Sequence, residues 1–118
     1  SYYKALADIK SQEDLDVIET ELKDQFGELP EPVVNLMGLM LIRRQCKNLG
    51  VRDVSAGLKN ISLIFTERTK LNPQKAIELT MRENKKYSLT PDQRLNVRMN
   101  NITWSNVYEE LNYLLSLV

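Results

Sequence analysis

The stretch Glu21 to Gly50 reads ELKDQFGELPEPVVNLMGLMLIRRQCKNLG, and its punctuation decides the fold. Phe26 closes an apolar stripe, Gly27 stands where a left-handed residue ends a helix, and Pro32 sits where a first-turn proline forfeits no hydrogen bond. One helix therefore stops near Phe26, a Pro-braced turn reverses the chain, and a second helix runs from about Glu31 to Leu49. In that second helix Val33, Leu36, Met37, Leu39, Met40, Leu41 and Ile42 leave little polar circumference, so it is expected to be the central, most buried element. On that reading, truncating Leu36 or Met40 to Ala costs about 2 to 5 kcal/mol. Arg43, Arg44 and Lys47 place cations near its C-terminus, where the helix dipole favours them, and Gly50 ends it.

Working back from Phe26, Leu15, Ile18 and Leu22 recur every three to four residues, which marks an amphipathic helix with an acidic opposite face. Ser11 is a good N-cap for it, with Glu13 and Asp14 in the first turn. Tyr2, Leu6 and Ile9 place a further short helix over residues 2–9. Working forward from Gly50, the period changes from helical to alternating. Val51 to Ala56 and Ile61 to Thr66 read as strands joined through Gly57-Leu58-Lys59-Asn60, a hairpin with a Gly-containing loop. Asn72-Pro73 opens a helix reaching about Glu83. Tyr87-Ser88-Leu89 and Arg94 to Met99 form a second strand pair around the turn Thr90-Pro91-Asp92-Gln93. Thr103 caps a last helix with a broad apolar face from Trp104 to Val118. The expected order is α-α-α-β-β-α-β-β-α. That is an α+β fold of helices packed on a small antiparallel sheet of two β-hairpins, in a single domain over residues 1–118.

Composition bounds the chemistry. The 118 residues carry 16 basic and 16 acidic side chains, so no net field draws the whole chain to nucleic acid or to an anionic membrane. A lone cysteine, Cys46, excludes an internal disulfide and fits a reducing cytoplasm. With no histidine, the commonest general base and metal ligand is missing. The four glycines are scattered rather than clustered, so no phosphate-cradling loop and no nucleotide cofactor is expected. The longest apolar run, Val33 to Ile42, is shorter than the roughly 20 residues of a membrane span. Cys46 reads as a small core residue. The carboxylate pairs Asp16 with Glu19 and Glu109 with Glu110 read as solvated helix faces, and Trp104 with Tyr108 as core. No catalytic residue and no metal ligand set emerges, and a start already in helical pattern points to a piece of something longer. The alternative class is a binding module for nucleic acid or RNA polymerase that uses Arg68, Lys70, Lys85, Lys86, Arg94 and Arg98.

The string E-L-x-D-x-F-G-x-L-P-E-P-V-x-N-L, Glu21 to Leu36, resembles the C-terminal domain of bacterial transcription-repair coupling factors. Tyr3-Lys4, Asp14-Leu15, Leu49-Gly50-Val51, Asn72-Pro73, Tyr87-x-Leu89, Arg94-Leu95 and Trp104 extend the likeness over nearly the whole chain. The resemblance implies a regulatory, non-catalytic domain of a cytoplasmic DNA translocase, with no ATPase motif of its own. It further implies docking on the N-terminal region of the parent protein, masking the surface that recruits the excision-repair protein UvrA until stalled RNA polymerase is engaged. No direct DNA binding and no membrane contact is expected. Val17, Glu21 and Asp24, on the side of the first amphipathic helix away from Leu15, Ile18 and Leu22, are the candidate interaction residues, the two carboxylates acting as receivers for partner arginines.

Overall fold

The structure, a computed structural model, describes residues 8–118. The expected opening helix over residues 2–9 falls outside these except at its end, where residue 8 lies in a turn and Ile9 is buried. The chain divides into two compact units, Ser1–Arg44 and Gln45–Val118.

The first unit holds helix α1, Gln12–Phe26, and most of helix α2, Glu31–Leu49. Local chemistry sets both starts. The Ser11 side chain accepts from the Asp14 N–H at 3.2 Å, and the Asp14 carboxylate accepts from the Lys10 N–H at 3.0 Å, so two donors at the helix entrance are satisfied reciprocally. At the far end Gly27 adopts φ 80°, ψ −159°, and its N–H caps the Lys23 carbonyl. This is a positive-φ glycine, though not the left-handed helical geometry expected from sequence. The Pro30 carbonyl then accepts from the Val33 and Val34 N–H groups and opens α2, with Pro32 in its first turn.

Leu15, Ile18 and Leu22 of α1 are buried as expected, but Phe26 is 69% exposed, because the stripe runs one turn past the covered part of the helix. Helix α2 departs further from expectation. Met37 and Leu41 are fully buried, whereas Leu36 and Leu39 are about half exposed and Met40 is only half-buried. The helix carries more apolar side chains than its covered face accommodates, so it is not buried all round. The stability expectation moves accordingly: Met37→Ala should cost about 3 kcal/mol and Leu36→Ala under about 1 kcal/mol, compared as urea midpoints at equal slope.

The second unit is a four-stranded antiparallel sheet with two further helices. The strands are β1 (Val51–Ala56), β2 (Asn60–Phe65), β3 (Tyr87–Leu89) and β4 (Arg94–Arg98), in the order β1-β2-β4-β3. Each expected hairpin forms, and β2 pairs with β4 to join them. The register places Leu63 between Val54 and Leu95, and Ile61 between Ala56 and Val97, with Tyr87 beyond Val97. Ile61, Leu63, Leu95, Val97 and Tyr87 are essentially inaccessible, so this face is the core. The alternate positions Ser55, Ser62, Asn96 and Ser88 align across all four strands on the opposite, polar face. Helix α3, Pro73–Arg82, is capped by the Asn72 side chain, which accepts from Lys75 N–H, and touches β3. Helix α4, Trp104–Ser116, is capped by Thr103 and buries Val107, Leu111 and Leu114. The class is α+β, as the sequence predicts.

Gly50 links α2 to β1 at φ 86°. Around it the segment 66–70 seals the helix end: the Leu49 carbonyl accepts from Thr69 Oγ1 at 2.8 Å and Lys70 N–H at 3.1 Å, and the Gly50 carbonyl accepts from Thr66 N–H at 2.8 Å. The orphan carbonyls of the helix terminus are thereby satisfied.

Candidate functional site

Three surfaces or clusters hold the residues with chemistry. The first is the outward face of α1. At about 100° per residue, Glu13, Val17, Thr20, Glu21 and Asp24 fall within about 60° of Val17, nearly opposite the buried Leu15, Ile18 and Leu22. All five are exposed, Val17 at 58%. Thr20 turns its hydroxyl back onto the Asp16 carbonyl. Glu19, on the flank, is occupied by Lys23 at 3.1 Å, and the hydrogen bond between them raises the lysine pKa. Glu13, Glu21 and Asp24 make no ion pair and no side-chain hydrogen bond among the described residues. The structure therefore brings Val17, Glu21 and Asp24 together on one exposed face, as the sequence placed them: an apolar centre with carboxylates on either side.

The second is a buried polar cluster that sequence reasoning missed. Glu110, taken from sequence as half of a solvated pair with Glu109, is only 6% exposed. It accepts a hydrogen bond from the Tyr87 hydroxyl and pairs with Lys86 Nζ at 2.8 Å. Burial, and then the bond to Glu110, hold the Tyr87 hydroxyl well above its ordinary pKa. Lys86 Nζ also lies 5.3 Å from the Tyr87 ring centre and 5.6 Å from that of Tyr113, and Tyr113 donates to Glu83 at 2.7 Å. One cation thus neutralises the buried carboxylate while sitting over two aromatic faces. Glu109 remains exposed, because one residue along an α-helix is a turn of about 100° away from the buried face. A network in which every member is satisfied ties β3 to α4; it does not offer a reactive group.

The third is a polar groove on the open side of the sheet, with a volume of about 390 Å³, lined by Lys59, Lys85, Lys86 and Arg98 together with amide side chains. Of the basic residues singled out from sequence, Lys85, Lys86 and Arg98 meet here. Arg68 and Lys70 do not line it, and Arg94 is engaged by Asp92 at 3.0 Å. Cys46 is half-buried with its thiol pushed up to about 11 by burial, so it is a poor nucleophile at neutral pH. Among the described residues no group of Cys, Asp and Glu is arranged to hold a metal ion, and no helix is long and apolar enough to cross a membrane.

Residues 1–76 match the TRCF domain family. The transcription-repair-coupling factor of Escherichia coli (strain K12) is 34% identical over 95 residues, 80% of this chain and 8% of that protein. That of Haemophilus influenzae (strain Rd) is 34% identical over 83 residues, 70% of this chain and 7% of that protein. The chain spans less than a tenth of the length of these curated relatives. Its fold is similar to the crystal structure of the C-terminal domain of a transcription-repair coupling factor, with a TM-score of 0.68 over 98% of this chain and 77% of that one at 20% identity, a likeness of fold. With the family matched over well more than half its length, and the architecture shared along almost all of it, this chain belongs to the TRCF domain family of transcription-repair coupling factors.

Proposed function

We propose that the chain is a regulatory, non-catalytic module of a larger transcription-repair coupling factor, a DNA-dependent ATPase of the cytoplasm. It docks on the N-terminal region of that protein and masks the surface that recruits UvrA. The observation that carries this reading is the outward face of α1, where Glu13, Glu21 and Asp24 surround exposed Val17 and make no ion pair among the described residues. Exposed carboxylates left unpaired on a rigid helix receive arginines with little reorganisation, and a small apolar centre excludes water between them. Such a contact holds the parent closed, and its loss shifts the population toward an open form.

In the full-length parent, Glu21→Arg with Asp24→Arg is expected to leave the fold intact, since both side chains are exposed, and to raise affinity for UvrA by about tenfold, as befits a coupling of 1–3 kcal/mol. Titration calorimetry at low and moderate salt reads this directly. Equal affinity of the folded double variant and the unaltered parent would sink the reading.

A further inference from the structure

The two units carry opposite charge. Ser1–Arg44 has five Lys and Arg against nine Asp and Glu, whereas Gln45–Val118 has eleven against seven. The zero net charge that argued against nucleic acid is therefore an average over an acidic and a basic body, and three of the basic body's cations that make no ion pair among the described residues, Lys59, Lys85 and Arg98, meet at the groove on the polar sheet face. Lys59 projects from the β1–β2 loop, Lys85 precedes β3, and Arg98 ends β4, directly opposite Asn60. All three are exposed and none is in an ion pair among the described residues. Lys86, the fourth cation, is neutralised by Glu110.

The groove contains no carboxylate. Between the cations stand Asn60, Asn84, Asn96 and Ser88. The Ser62 hydroxyl donates to Asn96 Oδ1, and the NH2 of that amide has no hydrogen-bond partner among the described residues. Fixed positive charge and side-chain donors without an acidic competitor are the chemistry of an oxyanion receptor. Two observations choose the oxyanion. The groove has no apolar anchor of the kind that gives a peptide its specific hold, which disfavours an acidic protein segment. Its one aromatic residue, Tyr87, is buried on the other side of the sheet, so no ring is free to stack on an unpaired base. A repeating phosphate backbone, contacted by charge and donors alone, meets both conditions.

We propose that the groove bounded by Lys59, Lys85 and Arg98 is a sequence-independent contact for the phosphodiester backbone of duplex DNA. Three phosphates neutralised give a log K against log salt slope of about −2.7, so binding at 20 mM salt is about 200-fold tighter than at 150 mM. At physiological salt the isolated chain then barely binds, and the contact acts when the DNA is already held nearby by other parts of a larger protein. This inference goes beyond the docking function and uses a different unit of the chain.

Fluorescence anisotropy with a labelled random-sequence 20-base-pair duplex tests it across 20–150 mM KCl. Lys59→Gln, Lys85→Gln or Arg98→Gln should each flatten the slope by about 1, and the triple variant should abolish binding at 20 mM. Lys75→Gln with Arg82→Gln on α3, outside the groove, should change nothing, and circular dichroism confirms that each variant is folded. The proposal is overturned by absence of binding at 20 mM, by a triple variant that binds as well as the wild type, or by equal weakening in the α3 control. It is likewise overturned if poly-glutamate displaces the duplex at equal charge concentration, which would make an acidic protein the occupant.

Discussion

Gly50→Ala should destabilise the second unit by about 4 kcal/mol or more, read as a fall in the urea midpoint at unchanged slope. Two effects add. At φ 86° a side chain costs about 1–2 kcal/mol of backbone strain. In addition, the new Cβ would lie 2.5 Å from Thr69 Cα and 2.9 Å from Thr69 N, both backbone atoms that no rotamer change removes. Relief requires the 66–70 segment to move, which breaks the bonds from Thr69 and Lys70 to the Leu49 carbonyl and leaves the end of α2 unsatisfied. Gly27→Ala is the control. Gly27 also has positive φ, at φ 80°, ψ −159° in a region almost confined to glycine, but nothing lies within 4 Å of its added Cβ, so only backbone strain of about 1–3 kcal/mol is expected. Equal losses at the two glycines would mean that the Thr69 contact carries no energy.

Glu110→Ala is the second large effect, about 2–3 kcal/mol, because it strands the buried Tyr87 hydroxyl, while Lys86, 42% exposed, turns to water. Tyr87→Phe removes one hydrogen bond while leaving the Lys86 pair, and should cost about 1–2 kcal/mol. The two variants also differ in pH dependence from wild type. The folded pKa of Tyr87 is raised above its ordinary value of 10.0, so the neutral phenol is the form the fold favours. Its contribution is fully present below about pH 10 and is lost as pH rises above that, where the unfolded chain releases the proton and the folded chain does not. Stability should therefore fall between about pH 10 and 12 in the wild type and fall less steeply in Tyr87→Phe. Cys46, raised to about 11, acts in the same sense in both proteins and cancels in the comparison. Parallel slopes for the two proteins would refute the assignment.

What the sequence made legible was local. Ser11, Asn72-Pro73 and Thr103 mark helix starts through bonds made within three residues, and each does so in the structure. Ile61 and Leu63, and Leu95 and Val97, alternate with a period of two, so each pair shares one side of its strand, and that side is the core. The α1 face was legible for the same reason, its apolar and acidic residues separating at helical period. Helix α2 was not, since an almost uninterrupted apolar run has no period from which to choose a face, and Leu36 and Leu39 could not be told from Met37 and Leu41. Burial of Glu110 depends on Tyr87, 23 residues away, and on Lys86, and no local pattern distinguishes it from Glu109. Lys85, Lys86 and Arg98 were legible as basic residues of an alternative binding module, but Lys59 was not, because it meets Arg98 only through the pairing of β2 with β4.

That pairing also sets the order in which the second unit assembles. β1 with β2, and β3 with β4, close over short turns, a microsecond event for a hairpin. Joining β2 to β4 instead brings Ile64 to Arg94 and Asn60 to Arg98 across the intervening loop, α3 and β3, so its closure entropy comes due before its contacts accumulate. The seam between the two hairpins is thus expected to be the slow step in folding of the second unit, and substitutions at Leu63 or Leu95 should slow refolding more than substitutions in the hairpin turns, as read by stopped-flow fluorescence. Until it closes, β2 and β4 each present an unpaired strand edge bearing Ile61 and Leu63 or Leu95 and Val97, and during that interval the chain is most open to pairing with another molecule of itself.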